Sequence, residues 1–406
     1  MKQRTIINGF IVLIVVLVSL GVYYYKNMVI ESDYYIPMIL ATHSTSGEHY
    51  VGSATCSACH ADVYKDHLQT AHYKSSAVAD AETIRGRFAE GSNSLDLNDV
   101  KYVMEQEGGS FYQHVKIKNR TVVIPPAKFD IVLGSGVRGQ TYASWIEDEL
   151  YQLQASYHTP TDSWINSPGY PDYYLQRPIR EACLKCHVTY AESKDFSNQG
   201  NEYAKEFMIY GIDCERCHRP AEKHVAYHTN NPQVKTPQFM LAIDSLSRQQ
   251  RLDVCAQCHS GSRSMVIKGN SFSFLAGESL EEYSRNPSTA SDNIPDVHGN
   301  QYGLLTSSEC FKQTASMDCT TCHNPHQNQR GDIAYFNQKC LGCHGTGFVN
   351  CTDDSQEVAK MENNCIGCHM PLTPSTAMKA QLGTDSLETS FNIRTHLIAI
   401  YSKNGL

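Results

Sequence analysis

Hydrophobic positions are spread unevenly along the chain. The first cluster is nearly continuous: Phe10 to Tyr25 is broken only by Ser19 and Gly21, and Lys2 and Arg4 precede it. With Ile6 and Ile7 it approaches the ~20 apolar residues of a spanning helix. It closes on Tyr23, Tyr24 and Tyr25, as an interfacial aromatic belt does. No small-x-small cleavage site and no lipobox cysteine follows. Residues 1–27 are therefore expected to form one N-terminal transmembrane helix, an uncleaved anchor, with a cleaved signal segment as the competing reading. Lys2 and Arg4 would stay inside, placing the remainder on the periplasmic side of the membrane. Residues 28–50 read as a tether, and 51–406 as the folded domain.

Within that domain the pattern changes once. Val100–Glu105, Phe111–Lys118 and Thr121–Ile124 are rich in β-branched and aromatic residues, with Gly108-Gly109 and Lys118-Asn119 between them as turn signals. This predicts a small β-hairpin or three-stranded element over roughly 95–135, within a β-containing insert of about 85–160. Gly134, Gly136 and Gly139 match Gly-x-Gly-x-x-Gly in spacing, but no βαβ alternation follows, so a tight loop is expected instead of a nucleotide site. From Cys183 onward, scattered Pro and Gly predict short helices joined by loops. The expected fold class is mainly α, with little regular structure.

Composition sharpens this picture through cysteine. Sixteen cysteines among 406 residues would ordinarily suggest a disulfide scaffold, but 14 of them fall in seven Cys-x-x-Cys-His motifs. These are Cys56/Cys59/His60, Cys183/Cys186/His187, Cys214/Cys217/His218, Cys255/Cys258/His259, Cys319/Cys322/His323, Cys340/Cys343/His344 and Cys365/Cys368/His369. Two thiols three residues apart lie on one side of a helical turn, where each forms a thioether to a haem vinyl. The adjacent histidine then sits beneath the iron. Zinc ribbons and redox pairs also use Cys-x-x-Cys, but neither demands histidine next. With 18 histidines in the chain, seven chance matches have a probability on the order of 10⁻¹⁰. Seven covalently bound c-type haems are the expected cofactors. The motif spacing is too irregular for a solenoid. A pI near 6.1 and the lack of any dense basic run argue against nucleic acid as a partner.

Eleven histidines remain as candidates for the second axial position. His326 follows His323 in Cys-His-Asn-Pro-His, where proline turns its ring towards a neighbouring haem. His224 and His228 share a helical face behind the third motif. Between His67 and His72 the latter is preferred. His298 lies in a loop and His396 before an apolar stretch. His43 and His49, in the tether, are expected to be solvated, and His114 to be structural. Six preferred ligands for seven irons leave one iron open, unless His67, His158 or a methionine closes the gap. Cys310 and Cys351 are left over, and a structural disulfide is their expected state.

The strings Tyr-Val-Gly-Ser-Ala-Thr-Cys-Ser-Ala-Cys-His (50–60), Gly-Ile-Asp-Cys-Glu-Arg-Cys-His (211–218), Leu-Asp-Val-Cys-Ala-Gln-Cys-His-Ser-Gly (252–261) and Cys-His-Asn-Pro-His (322–326) resemble the cytochrome c554-type multihaem cytochromes. The resemblance covers roughly 50–400 and is weak over 61–182. It implies a mostly helical fold with stacked and perpendicular haem pairs, and distal ligation by His72, His224 or His228, His326 and His396. The nitrite-reductase relatives' Cys-x-x-Cys-Lys motif is absent. The leading expectation is a membrane-anchored periplasmic heptahaem cytochrome passing electrons between redox proteins or quinol-linked membrane complexes. The alternative is a multihaem oxidoreductase acting on a small nitrogen or sulfur compound at one open haem.

Overall fold

The computed structural model describes residues 16–20, 40–43, 45–195, 197, 199–287, 294–345, 364–382 and 388–401. Strand and helix contribute almost equally, at 26% and 27%. The chain is therefore not mainly α, and the sheets reach well beyond the expected insert. The apolar alternation that starts at Val100 recurs through residue 210 and again near the C-terminus, each time in runs of four to ten residues suited to strands.

The first strands are β1 (Ser76–Val78), β2 (Ser94–Asp96), β3 (Val100–Glu107), β4 (Ser110–Ile117) and β5 (Ala127–Lys128). β2-β3-β4-β5 form an antiparallel sheet. Gly108 and Gly109, with φ of 55° and 83°, make the two-residue turn between β3 and β4, a conformation glycine adopts without Cβ strain. The expected strand at Thr121–Ile124 does not form. Pro125 and Pro126 follow it and have no N–H to donate to a ladder, so β4 pairs instead with β5.

A seven-stranded sheet comprises β1, β6 (Ile131–Leu133), β7 (Gly139–Ile146), β8 (Glu149–Gln152), β9 (Ala155–His158), β10 (Ser163–Asn166) and β11 (Arg177–Pro178). The Gly134–Gly139 stretch is the loop from β6 to β7, and a strand, not a helix, follows it. Three two-stranded ribbons complete the set: β12 (Val188–Ser193) with β13 (Tyr203–Tyr210), β14 (Met265–Val266) with β15 (Ser284–Arg285), and β16 (Leu372–Gln381) with β17 (Glu388–Arg394).

Alternation along β3 and β4 buries Val100, Tyr102, Met104, Phe111 and Val115 in a first core that includes Phe129, Tyr142 and Trp164. A second core joins Ile131, Ala143 and Leu150 of the larger sheet to Tyr190, Tyr203 and Phe272. Leu184, fully buried in this second core, seats the helix Glu181–Leu184 that opens the second motif. Its burial stabilises that seat by ~1.5–3 kcal/mol. The C-terminal part differs sharply. Among the described residues after 293, the buried apolar side chains are Val297, Leu304 and Ala380.

No helix among the described residues is long and apolar enough to cross a membrane. The expected transmembrane helix over 1–27 lies outside the described residues except for 16–20. The expectation that His43 is solvated is corrected. His43 is fully buried, with its Nε2 on the Phe272 carbonyl at 3.0 Å and its Nδ1 accepting from the Thr45 and Ser46 amides.

Candidate haem centres

Each motif sits on a short turn, and most of these turns are capped by a nearby polar side chain. Asp213 caps the helix Cys214–His218 by accepting from the Cys214 amide at 2.8 Å. Ser247 and Gln250 form a capping box for Arg248–His259, Asp318 and Thr321 one for the 3-10 turn Cys319–Thr321. Asp332 and Asn364 cap Ile333–His344 and Cys365–His369. In the first and fifth motifs the histidine amide returns to the first cysteine's carbonyl, at 2.9 Å for His60 and 3.0 Å for His323. Both thiols and the imidazole are thus fixed relative to one turn of backbone.

The thiols are not equally enclosed: four of the expected haem-holding cysteines are exposed. Cys59 and Cys368, the second cysteines of the first and seventh motifs, are exposed, whereas Cys56 and Cys365 in the same turns are half-buried. Cys183 and Cys343 are exposed as well. The cause is positional. The first cysteine of each of these two turns leans on a neighbouring motif, Cys56 on Cys214 and Cys365 on Cys340, while the second, three residues on, faces solvent. The fold therefore does not gather Cys59 and Cys368 into its thiol clusters. Their assignment as haem anchors rests on motif spacing alone.

Several imidazoles are oriented by main-chain carbonyls. The Nδ1 of His369 lies 2.9 Å from the Ala399 carbonyl, and that of His187 lies 3.3 Å from the Ser75 carbonyl. A carbonyl only accepts, so Nδ1 carries the hydrogen and Nε2 keeps the lone pair a metal needs. His224 is set in the same way by the Gln238 carbonyl at 2.8 Å. His228 differs, because its Nε2 already accepts from the Gln238 amide at 3.2 Å. Burial lowers the pKa of His72, His218 and His396 to about 4, so all three are neutral at physiological pH.

The rings pair across the chain. An imidazole nitrogen lies about 2 Å from a metal and about 1.1 Å from its ring centre, so two histidines on opposite faces of one iron place their centres about 6.3 Å apart. His218 and His326 are 6.0 Å apart, His72 and His259 6.1 Å, and His323 and His396 6.2 Å. Each pair joins a motif histidine to one of the expected distal candidates. His224 and His228, at 4.6 Å, are too close to face each other across a metal. Among the described residues His298 makes no ring contact with another histidine; its loop is tied by Asp296 to Ser375 and Thr376. His67, not among the preferred candidates, is buried 6.5 Å from His326, with Nε2 on the Ile212 carbonyl and Nδ1 unpartnered. Only its place at the end of the helix Ala61–His67 could have signalled this. His114 Nε2 lies 3.3 Å from a carboxylate oxygen of Glu105 and of Glu107, and His158 stacks on Phe391. The expected disulfide cannot be placed, since Cys351 lies outside the described residues.

Two further features fit haem. Three motifs lie after residue 293, where the described residues bring only three buried apolar side chains of their own, which suits the packing of a large apolar group there. Arg216 Nε is buried among the second, third and fourth motifs with no protein partner, as suits a haem propionate.

These motifs, turns and facing rings define a multihaem c-type cytochrome, a class whose haem is bound covalently. Residues 152–219 match the family described as cytochrome c554 and c-prime. The multiheme cytochrome MtrA of Shewanella baltica (strain OS185) is 25% identical over 197 residues, which is 47% of this chain and 52% of that protein. The chain thus spans about half the length of the curated relative it matches. The crystal structure of the outer cell wall cytochrome OcwA shares the fold, with a TM-score of 0.56 and 17% identity over 87% of this chain and 80% of that one. An undecaheme cytochrome from the S-layer of Carboxydothermus ferrireducens covers 82% of this chain and 52% of its own, with 16% identity and a TM-score of 0.38.

Proposed function

We propose that the chain is a heptahaem cytochrome carrying electrons between redox proteins outside the cytoplasm, one haem on each of its seven motifs. The three facing ring pairs at 6.0–6.2 Å carry this reading, because two-histidine ligation suits electron transfer. When bound, the haem irons supply reversible one-electron redox chemistry. The chain's residues do the rest. The seven motif histidines would each hold one haem. His72, His326 and His396 would add a second histidine to the haems of the fourth, third and fifth motifs, and His224 and His298 would serve further irons. A formal charge of −8 favours a basic docking face on the partner. The outer cell wall cytochrome with the same fold supports a site of action beyond the cytoplasm.

The test is a haem count by intact mass together with low-temperature EPR of the oxidised protein. Seven haems with low-spin, two-histidine signals are expected. A high-spin signal that shifts on adding nitrite, hydroxylamine or sulfite would overturn the carrier reading in favour of an enzyme.

A further inference from the structure

The segment 394–399 touches two motifs at once. On one side it wraps the short helix Cys365–His369 of the seventh motif. Arg394, the last residue of β17, places its Nη1 between two carbonyls at the end of that helix, donating to Ile366 at 2.8 Å and to Met370 at 2.6 Å. A cationic donor is favoured there, because the carbonyls of a helix point out of its C-terminus. The Thr395 amide donates to the Pro371 carbonyl at 3.1 Å. Ala399 then closes a two-bond pair with His369: its amide donates to the His369 carbonyl at 3.2 Å, and its carbonyl accepts from His369 Nδ1 at 2.9 Å.

On the other side the same segment reaches the fifth motif. The His396 ring lies 6.2 Å from that of His323. Beside it, the Ile398 amide donates to Ser308 Oγ at 2.8 Å, and Ser308 Oγ lies 3.3 Å from the His396 carbonyl. Ser308 is buried and opens the helix Glu309–Gln313, whose Phe311 carbonyl accepts from Arg248 at 3.0 Å. Arg248 also donates to the Met317 carbonyl at 2.7 Å, two residues before Cys319. His369, His187 and His224 are each turned by a carbonyl on Nδ1, but His396 is not: its Nδ1 is buried with no hydrogen-bond partner. The aim of the His396 ring is therefore set by the backbone on either side of it.

We infer that Arg394 is a positioning residue for the fifth haem: by gripping the end of the seventh motif's helix, it holds His396 in place opposite His323. The second histidine of the fifth haem is then supplied on condition that the seventh motif keeps its turn, which couples the two centres through the segment 394–399. A plain helix cap would stabilise the seventh turn and leave the ligation of the fifth iron untouched. That difference separates the two roles.

This role rests on the reading that His396 adds the second histidine to the fifth haem, and one experiment separates the two. Low-temperature EPR of the oxidised, haem-loaded full chain is set beside a haem count by intact mass, for the parent, His396→Ala, Arg394→Ala and Arg394→Lys. His396→Ala should keep the parent's haem count and convert one haem from low spin to high spin. No such change would overturn the ligand reading, and the role of Arg394 with it. Arg394→Ala should also keep the haem count and show the same high-spin signal. Arg394→Lys, still able to donate to the helix carbonyls, should recover most of the low-spin signal. If His396→Ala shows the high-spin signal and Arg394→Ala keeps the parent spectrum, the positioning role alone is overturned. Equal high-spin signals in Arg394→Ala and Arg394→Lys would overturn it too, since the carbonyl bonds would then not be what aims the ring. Should Arg394→Ala fail to accumulate with haem, Arg394→Gln, a shorter neutral donor, is read in its place, and a parent spectrum there overturns the role in the same way. A parent with fewer than seven haems would overturn the seven-haem reading, while the comparison of His396 and Arg394 variants would still decide this one.

Discussion

Glu215 offers a direct test of how the motifs are held together. Its carboxylate is 4% exposed and sits inside the third motif. One oxygen accepts from Val51 and Ala221, the other from Val51 and Gly52. Glu215→Gln keeps the shape but replaces one oxygen with a donor. Whichever way the amide turns, either Ala221 or Gly52 loses its acceptor, while Val51 keeps one. An orphaned buried N–H costs ~1–3 kcal/mol. The two surviving bonds lose charge assistance, worth ~1 kcal/mol each. Relief from burying a charge, which raises the Glu215 pKa, offsets ~1 kcal/mol of this. The net loss is ~2–4 kcal/mol. For a unit of this size that lowers Tm by ~3–6 °C. The assay is thermal unfolding of the haem-loaded protein, followed by far-ultraviolet circular dichroism and haem absorbance together. Glu215→Ala, which removes all the acceptors, should fall further. A Glu215→Gln Tm within about 1 °C of the parent would refute the claim that this carboxylate holds the first and third motifs together.

Three further outcomes are expected. His326→Met should raise the potential of one haem in a redox titration, since a methionine axial ligand raises potential, whereas His228→Met should leave the titration unchanged. Gly86→Ala would drive a methyl group into the indole of Trp164 and should destabilise the first core by ~1–3 kcal/mol in chemical denaturation. Burial raises the pKa of Tyr50, Tyr102, Tyr142, Tyr170, Tyr190 and Tyr203, so the folded state keeps its protons where the unfolded chain releases them. Stability should therefore be full below pH ~10 and fall above it by up to ~1.4 kcal/mol per tyrosine per pH unit. Tyrosinate absorbance should appear in one cooperative step with loss of circular dichroism; gradual ionisation without unfolding would contradict the burial of these hydroxyls.

What was legible in the sequence was mostly local. Cys-x-x-Cys-His is a contiguous signal, so the haem class could be read without a structure. The spacing said nothing of enclosure, because whether a thiol such as Cys59 or Cys368 is covered depends on which distant motif docks beside its turn. His326 lies beside His218, as its Asn-Pro-His context suggested, whereas His224 and His228 are distinguished by the Gln238 backbone, which no spacing reveals. His43 looked solvated because polar neighbours surround it in sequence, yet its partners come from Phe272, far along the chain. The β3–β4 hairpin was legible from its paired glycines. The larger sheet was not, because its strands are only two to eight residues long and gain their stability from non-local pairing such as β7 with β9. Weighing haem ligation over strand alternation produced the mistaken mainly-α expectation.

The uneven placement of apolar side chains sets an order of assembly. The first core lies wholly within the region up to residue 212, and the second draws all its described members from there except Phe272. Among its described residues, the region after 293 has too little to bury to offset the entropy of ordering its backbone. It should therefore stay open until its thiols are captured, which would keep Cys319, Cys340 and Cys365 accessible to whatever joins haem to them. The second motif, seated by Leu184 in a core that needs no haem, has no such leisure. Attachment there would be a race against folding, and later in the chain the event that permits folding.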